Sequence, residues 1–380
     1  MTRPTLLAVD GNSLLHRNYH AMEHSQLSTS DGRPLWAVKG FLSQLFAAIE
    51  RADASAVVVG FDDHTSSVRK EGHPQYKANR SPKAPELGQQ IASTIELLRA
   101  AGVPVVIPAG LEADDVLASA AAYAPTVGWR TVVVTSDRDS FALIDEHTDV
   151  LRVLNGGIEG SPILTPERLF SMVGVRPSQY QEYAAMRGDP SDNLLGIPGL
   201  GEKRAAKLLR TFGSVSAAFS DSDSGGSLVG KRLGKSFVAT LSSPATRDVF
   251  WRNVAIMTMR RDLPLGLDLS ETGASRLPLD AVLVLAALES FELHSLRNSA
   301  RRVLCVSGPT SPADFRGQPQ PEDDVPLPPL EEPLWSRDRD QGPAGTPATA
   351  PATVAATKAP TGTLSASVDP EDDHFDETLW

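Results

Sequence analysis

Nine carboxylates stand where short apolar runs give way to polar residues: Asp10, Asp62, Glu112, Asp114, Asp115, Asp137, Asp139, Asp189 and Asp192. Three of them crowd into Glu112-Ala113-Asp114-Asp115. A helix N-terminus favours one or two negative charges, because unpaired N–H groups and the helix dipole face them. Three exceed what capping needs. Like charges about 4 Å apart repel by roughly 4 kcal/mol near a protein surface, so the cluster calls for a compensating cation. No cysteine or paired histidine joins the set, and ligation by oxygen alone selects Mg²⁺ or Mn²⁺ over zinc. Nine carboxylates are more than one ion uses. Two ions a few ångströms apart, one activating water and one stabilising a leaving oxygen, are the usual purpose of such a set in phosphodiester cleavage.

The elements that position these acids follow from hydrophobic pattern. Leu6 to Val9, Ala56 to Phe61, Val103 to Ile107 and Arg130 to Thr135 read as buried strands, and each leads into carboxylates. Helices are predicted between them, at Leu14 to His24, Trp36 to Arg51 and Glu86 to Ala101, and from Ala113 onward on the spacing Ala113, Val116, Leu117, Ala120, Ala121. Val150 to Leu154 and Ile158 to Leu164 predict two further strands near the sheet edge. Strand–helix alternation means an α/β fold with a mostly parallel sheet, whose ligands gather at the carboxyl ends of the strands. From Thr165 the pattern turns helical and is expected to stay so to about Val303, with a Ser/Gly/Asp-rich break at 220–230.

Two stretches carry cations. Val68 to Lys83 is polar, basic and poor in apolar periodicity, and a long insertion of that kind between core elements is more often functional than structural. Gly196-Ile197-Pro198-Gly199-Leu200-Gly201 predicts a tight hairpin with bare N–H groups, followed by Lys203, Arg204, Lys207 and Arg210 at helical spacing. Such a turn can hold a phosphate.

At 380 residues and 41% hydrophobic, the chain can bury two domains plus a tail. The net charge of −11 is uneven: residues 306–380 hold four Lys+Arg against fourteen Asp+Glu, leaving 32 against 33 in residues 1–305. The tail also holds 13 of the 29 prolines, which predicts disorder. Its end combines acids with Phe375, Leu379 and Trp380, and what it touches is unknown from sequence. A single cysteine, Cys305, with no apolar run of membrane-spanning length and no signal sequence, predicts a cytoplasmic protein without a membrane partner.

Taken singly, each acid has an ordinary structural explanation, since an Asp after a strand is most often an Asx-turn or a cap. The ordered set does not. Val9-Asp10-Gly11-Asn12-Ser13, Arg17, Phe61-Asp62, Tyr76-Lys77-Ala78-Asn79-Arg80, Glu112-Ala113-Asp114-Asp115, Ser136-Asp137-Arg138-Asp139 and Gly188-Asp189-Pro190-Ser191-Asp192-Asn193 together resemble the bacterial and phage 5′-3′ exonuclease/flap endonuclease family. That family includes the N-terminal domain of bacterial DNA polymerase I.

The resemblance implies a PIN-like nuclease core over 1–165, with a helical arch at about 63–85. It also implies a helix-hairpin-helix DNA-binding region over 166–305, ahead of the 306–380 tail. By that analogy Asp10, Asp62, Glu112, Asp114 and Asp115 serve mainly a first metal ion, and Asp137, Asp139, Asp189 and Asp192 a second. Lys77, Arg80 and Arg17 match residues that approach the scissile phosphate. Tyr76 is expected either against a terminal base or in the core. Gly196, Gly199, Gly201, Lys203, Arg204 and Lys207 match the hairpin that grips the duplex backbone and in relatives can hold K⁺. The implied substrates are 5′ flaps and nicked or gapped duplex DNA, with any polymerase on a separate chain. A PIN-type ribonuclease and a non-catalytic junction-binding protein are the competing readings. A phosphatase built on Asp10 is weaker, because Asn12 stands where a second aspartate would be needed.

Overall fold

The computed structural model describes residues 3–305, so the expectations for the 306–380 tail lie outside the described residues. Six strands form one sheet: β1 (Thr5–Asp10), β2 (Ala54–Gly60), β3 (Val105–Val106), β4 (Arg130–Thr135), β5 (Thr148–Arg152) and β6 (Ile163–Leu164). Their order is β3-β2-β1-β4-β5-β6, with every neighbouring pair parallel except β5 and β6. β1 is buried along its whole length. Side chains alternate across a strand, so Leu6 and Ala8 enter one apolar layer while Leu7 and Val9 enter the other. A parallel sheet covered on both faces is thus built from near-continuous apolar runs.

The helices of the first half are α1 (Gly11–Met22), α2 (Trp36–Arg51), α3 (Val68–Gly72), α4 (Pro85–Ala100) and α5 (Ala113–Tyr123). α1, α2 and α4 bury residues on the Leu7/Val9 side, including Leu14, Phe41 and Leu97. α5 fills the opposite layer with Val116, Leu117 and Ala120. Because β1, β2, β3 and β4 run the same way, they end at one edge. There the chain continues into Asp10, Asp62, Glu112 and Asp137.

The second half carries α6 (Pro166–Val173), α7 (Pro177–Arg187), α8 (Glu202–Phe212), α9 (Val215–Asp223), α10 (Ser227–Arg232), α11 (Lys235–Ser242) and α12 (Pro244–Met257). A small antiparallel pair, β7 (Gly188–Asp189) and β8 (Leu194–Leu195), follows α7. Thr165 caps α6 by accepting from the Arg168 N–H, with Pro166 at the first helical position.

Two stretches differ from expectation. Residues 258–280 contain no helix: Leu263, Leu265, Leu267 and Leu269 alternate along an extended strap that packs onto the layer filled by α5. A period of two in that leucine run is an extended-chain signal, not a helical one. The last helices, α13 (Ala281–Ser290) and α14 (Arg297–Leu304), then return to the first half. Val284, Leu288, Ala300 and Leu304 join Leu42, Leu45, Leu97 and Leu98 of α2 and α4 in one apolar lining. The segment at 63–85 holds one short helix, α3, and turns, and it lies against the chain at 189–193. The Lys77 N–H donates to the Asp192 carbonyl (2.9 Å), and the Asn193 side chain donates to the Gln75 carbonyl (2.8 Å). No helix among the described residues is long and apolar enough to cross a membrane.

Candidate functional site

At the end of β1, Asp10 caps α1. Its carboxylate accepts from the Ser13 N–H (2.9 Å) and from the Thr135 hydroxyl (2.9 Å) at the end of β4. Thr135 Oγ1 also accepts from the Asp137 N–H (3.0 Å), and Asp137 Oδ1 accepts from the Asp139 N–H (3.0 Å). One buried hydroxyl thereby sets three of the acids. Asn12 ties in the next strand by accepting from the Asp62 N–H (2.9 Å), and Asp62 accepts from the Ala113 N–H (3.0 Å) at the start of α5.

The electrostatics divide the acids into two groups that meet at Asp137. Burial, reinforced by Asp62 and Asp137, pushes the Asp10 carboxyl up to about 7. Asp114 is raised well above the carboxylate range by desolvation, then by Asp137 and Asp10. Asp139 is raised likewise by desolvation, then by Asp137, Asp189 and Asp192. Asp139, Asp189 and Asp192 each bring an oxygen within 4.8 Å of the others. Asp139 Oδ1 is buried with no hydrogen-bond partner. Asp189 accepts from the Ser191 N–H (2.9 Å) and hydroxyl (2.7 Å), which fixes its turn.

That combination fits a hard divalent cation. The donors are all oxygens, one of them is orphaned, and the charges repel unless protonated or neutralised. A cation would satisfy the orphaned oxygen and let the raised carboxyls ionise.

Not every acid faces this gap. Asp115, expected among the ligands of the first ion, is fully buried and turned away from it. Its two oxygens accept from Arg69 (2.7 and 2.9 Å), from the Arg260 N–H (2.8 Å) and from the Glu112 N–H (3.1 Å). The compensating cation that the three-acid cluster requires is, for Asp115, a guanidinium. Glu112 Oε2 accepts from Tyr76 Oη (3.0 Å), Lys77 Nζ (3.0 Å) and Arg69 Nη1 (3.2 Å). Burial would raise this carboxyl, but Lys77 and Arg69 outweigh it and hold the group below the usual range.

Of the expected cations, Lys77 and Arg80 reach the acids. Burial would lower the Lys77 ammonium, yet Glu112 and Asp192 raise it. Lys77 also has a positive φ of 55°, a conformation that costs a side-chain-bearing residue energy and is held here by its bonds to Glu112 and Asp192. Arg80 pairs with Asp192. Arg17 reaches across to the Asn155 side chain. Tyr76, for which the sequence allows two places, belongs to the core: it is 6% exposed, and its hydroxyl donates to Glu112.

Three residues that place the acids are given no role by the sequence, although Gly188 stands in the quoted Gly188 to Asn193 motif. Asn253 of α12 is fully buried and donates to the carbonyls of Ala185 (3.0 Å) and Leu195 (2.9 Å), clamping the hairpin that bears Asp189 and Asp192. Gly188, at φ 75°, lies so close to its neighbour that a Cβ would stand 2.3 Å from the Gly196 nitrogen. Arg69 is the third. Nothing distinguishes it in sequence from the other basic residues of its segment.

The chain turns at 196–201, but not all of its N–H groups are bare: the Ile197 N–H donates to the Met186 carbonyl (2.8 Å) and the Leu200 N–H to the Ile197 carbonyl (3.0 Å). Ile197 and Leu200 are buried, while Gly201 is the N-cap residue just before α8. Lys203 and Lys207 are exposed four residues apart on one helix face. Arg204 is also exposed but already engaged, donating to the Gly199 carbonyl (3.0 Å) with its guanidinium 5.2 Å from the Phe237 ring centre. Gly196 serves close packing, since a Cβ there would stand 2.1 Å from the Arg187 carbonyl oxygen.

Acids gathered at the open edge of a parallel sheet, with lysine and arginine aimed across them, are an arrangement that metal-assisted chemistry on phosphate esters uses. The family follows from sequence comparison. A family model described as "5'-3' exonuclease, N-terminal resolvase-like domain" matches residues 5–174, and "5'-3' exonuclease, C-terminal SAM fold" matches residues 175–278. The chain belongs to the 5′-3′ exonuclease family.

DNA polymerase I of Mycobacterium tuberculosis is 37% identical over 263 residues, 69% of this chain and 28% of that protein. The thermostable DNA polymerase I of Thermus aquaticus is 35% identical over 291 residues, 77% of this chain and 32% of that protein. The chain thus spans less than a third of the length of these relatives. Among solved structures, the T5 D15 protein co-crystallized with metal ions matches with a TM-score of 0.54 at 20% identity, covering 67% of this chain and 89% of that one. The catalytic core of Rad2 in complex with DNA substrate matches at 0.51 and 17% identity, covering 80% and 92%. These two likenesses show a shared fold.

Proposed function

We propose that this chain is a Mg²⁺- or Mn²⁺-dependent, structure-specific 5′ nuclease that hydrolyses DNA near a 5′ single-strand/duplex junction, leaving 5′-phosphate and 3′-hydroxyl ends. The observation that carries the reading is the pair of acid groups joined at Asp137, one of them the Asp139, Asp189 and Asp192 triad with its orphaned oxygen. Asp10, Asp62, Glu112, Asp114 and Asp137 would hold one ion, and Asp139, Asp189 and Asp192 the other. When bound, such ions activate water and neutralise the leaving oxygen.

The chain's own residues do the rest. Lys77 and Arg80 exchange Glu112 and Asp192 for the phosphoryl oxygens, where their charge stabilises the negative charge that builds during cleavage. Arg17 orients the adjoining phosphate. Lys203, Lys207 and the bare N–H groups at the start of α8 hold the duplex backbone, giving affinity without reading sequence. A K⁺ ion at this turn would compete with Arg204 for the Gly199 carbonyl. In this reading a DNA polymerase supplies the displaced 5′ strand, and both act in the cytoplasm. The relatives with DNA in their structures support the substrate class: Rad2 with a DNA substrate and the T5 flap endonuclease with DNA and metal ions.

The test is cleavage of a 5′-labelled flap duplex and of a matched single-stranded RNA, each with Mg²⁺ and with chelator. A metal-dependent cut at the DNA junction is the expected result. Cleavage of RNA alone would make the chain a PIN-type ribonuclease, and tight flap binding with no product in any divalent metal would make it a non-catalytic junction binder.

A further inference from the structure

Arg69 uses every arm of its guanidinium. Nη1 donates to Asp115 (2.9 Å) and Glu112 (3.2 Å), Nη2 to Asp115 (2.7 Å) and the Thr258 carbonyl (3.4 Å), and Nε to the Ile256 carbonyl (3.0 Å). Its side chain is 12% exposed and that of Asp115 is not exposed at all. Three separate pieces of chain meet at this one group. They are α3 in the basic segment, the start of α5 with Glu112, and the C-terminal end of α12 with the residues that follow it. α12 also carries Asn253, which clamps the hairpin bearing Asp189 and Asp192. One helix therefore touches both acid groups, one through Asn253 and the other through Arg69.

We propose that Arg69, locked by Asp115, is a positioning residue that sets the Glu112 carboxylate and ties the placement of α12, and with it the helical DNA-binding half, to the metal-holding acids. The inference rests on the reading that these acids hold divalent ions. Three donors fall on Glu112 Oε2 and, among the described residues, none falls on Oε1. The oxygen that Arg69 helps to occupy is thus committed to the protein, and the other is the one turned loose for a ligand. Asp115 acts through Arg69 and never touches an ion. A planar, five-donor fork suits such a junction, and a lysine cannot reproduce it.

The experiment measures kcat and KM on a flap duplex, the Mn²⁺ concentration for half-maximal rate, and the flap Kd in chelator. The chains compared are the wild type, Arg69→Gln, Asp115→Asn and the double variant. Loss of a group that orients a metal ligand typically lowers activity or ion affinity by about 10- to 100-fold. Each single variant is expected to lower kcat and raise the Mn²⁺ requirement by about tenfold or more. The double variant should be no worse than either, because both remove one coupled unit. KM and the flap Kd in chelator should stay within about twofold of wild type, which a general loss of folding would not leave intact.

A wild-type kcat and Mn²⁺ requirement in Arg69→Gln would overturn the proposal. So would full additivity in the double variant, which would make Asp115 an independent ligand. If Arg69→Gln melts below the assay temperature, Arg69→Lys carries the test: it keeps the charge beside Asp115 but not the fork, and wild-type kcat there would equally overturn the idea. Failure of the nuclease reading itself is distinguishable, because it would appear as no metal-dependent product in the wild-type chain.

Discussion

The acid site at the sheet edge draws its side chains from β1, the loop after β2, the start of α5, the end of β4 and the β7–β8 hairpin, whereas the 196–201 turn and α8, proposed to hold the duplex backbone, come from one continuous stretch. In the first, carboxylates are buried or half-buried, crowded, and fixed in place by tertiary partners such as Thr135 and Asn253. In the second, the exposed Lys203 and Lys207 need only their own helix to stand in place, although the turn before it packs on Arg187 and Phe237. Charge that must be desolvated is assembled by the whole fold, and charge that stays in water can be presented locally.

The contrast is tested most severely by removing the orphaned oxygen. Asp139→Ala should lower kcat on a flap duplex by more than the roughly 100-fold that losing a group outside the ligand shell costs, while gel-shift affinity in chelator is kept. Equal loss of binding would mean that the acid site and the grip are not separate.

Next in size is the hairpin that delivers Asp189 and Asp192. Gly188→Ala adds a Cβ at a positive φ and against backbone. It should lower the unfolding free energy by about 3 kcal/mol, read from denaturant melts. The same change at Gly201, where a Cβ meets open space, should be mild.

Titration gives the third effect. Asp10 is raised from 3.8 to about 7, so the folded, ion-free protein binds a proton that the unfolded chain has released. The associated stability is complete below the unfolded value and is lost as pH rises through the folded one. Thermal melts in chelator should therefore fall between about pH 4 and pH 7, and saturating Mg²⁺ should restore stability at the upper end by binding the ionised form. A melting temperature that climbs with pH in chelator would contradict the burial assigned to Asp10.

The smallest effect belongs to the exposed grip. Lys203→Ala with Lys207→Ala should weaken flap binding and flatten the dependence of log K on log salt by nearly 2, about 0.9 for each phosphate left without its lysine. The kcat at saturating substrate should not change.

Much of this is legible in the sequence because parallel strands advertise themselves as short apolar runs and their acids follow at once. Asp10, Asp62 and Asp137 can be placed at one edge from β1, β2 and β4 alone. The turn at 196–201 is equally legible, since its glycines and lysines act within one stretch. Asp115 is not, because adjacent acids look alike in sequence, while the helix turns one toward the gap and the next toward Arg69. Leu263 to Leu269 reads as helix only because the segments before and after it are helical, although its alternation is that of an extended strap. The return of α13 and α14 to α2 and α4 is invisible for a different reason: an apolar helix face does not name its partner.

The central claim, that these carboxylates hold divalent ions by giving up protons, is tested most directly by calorimetric titration of Mn²⁺ into the chelator-treated, dialysed chain at pH 7. Two buffers of different ionisation enthalpy separate ion uptake from proton release. Ion binding with a net release of protons, both reduced in Asp139→Asn, is the expected result. Ion uptake with no proton release, or no uptake at all, would contradict it.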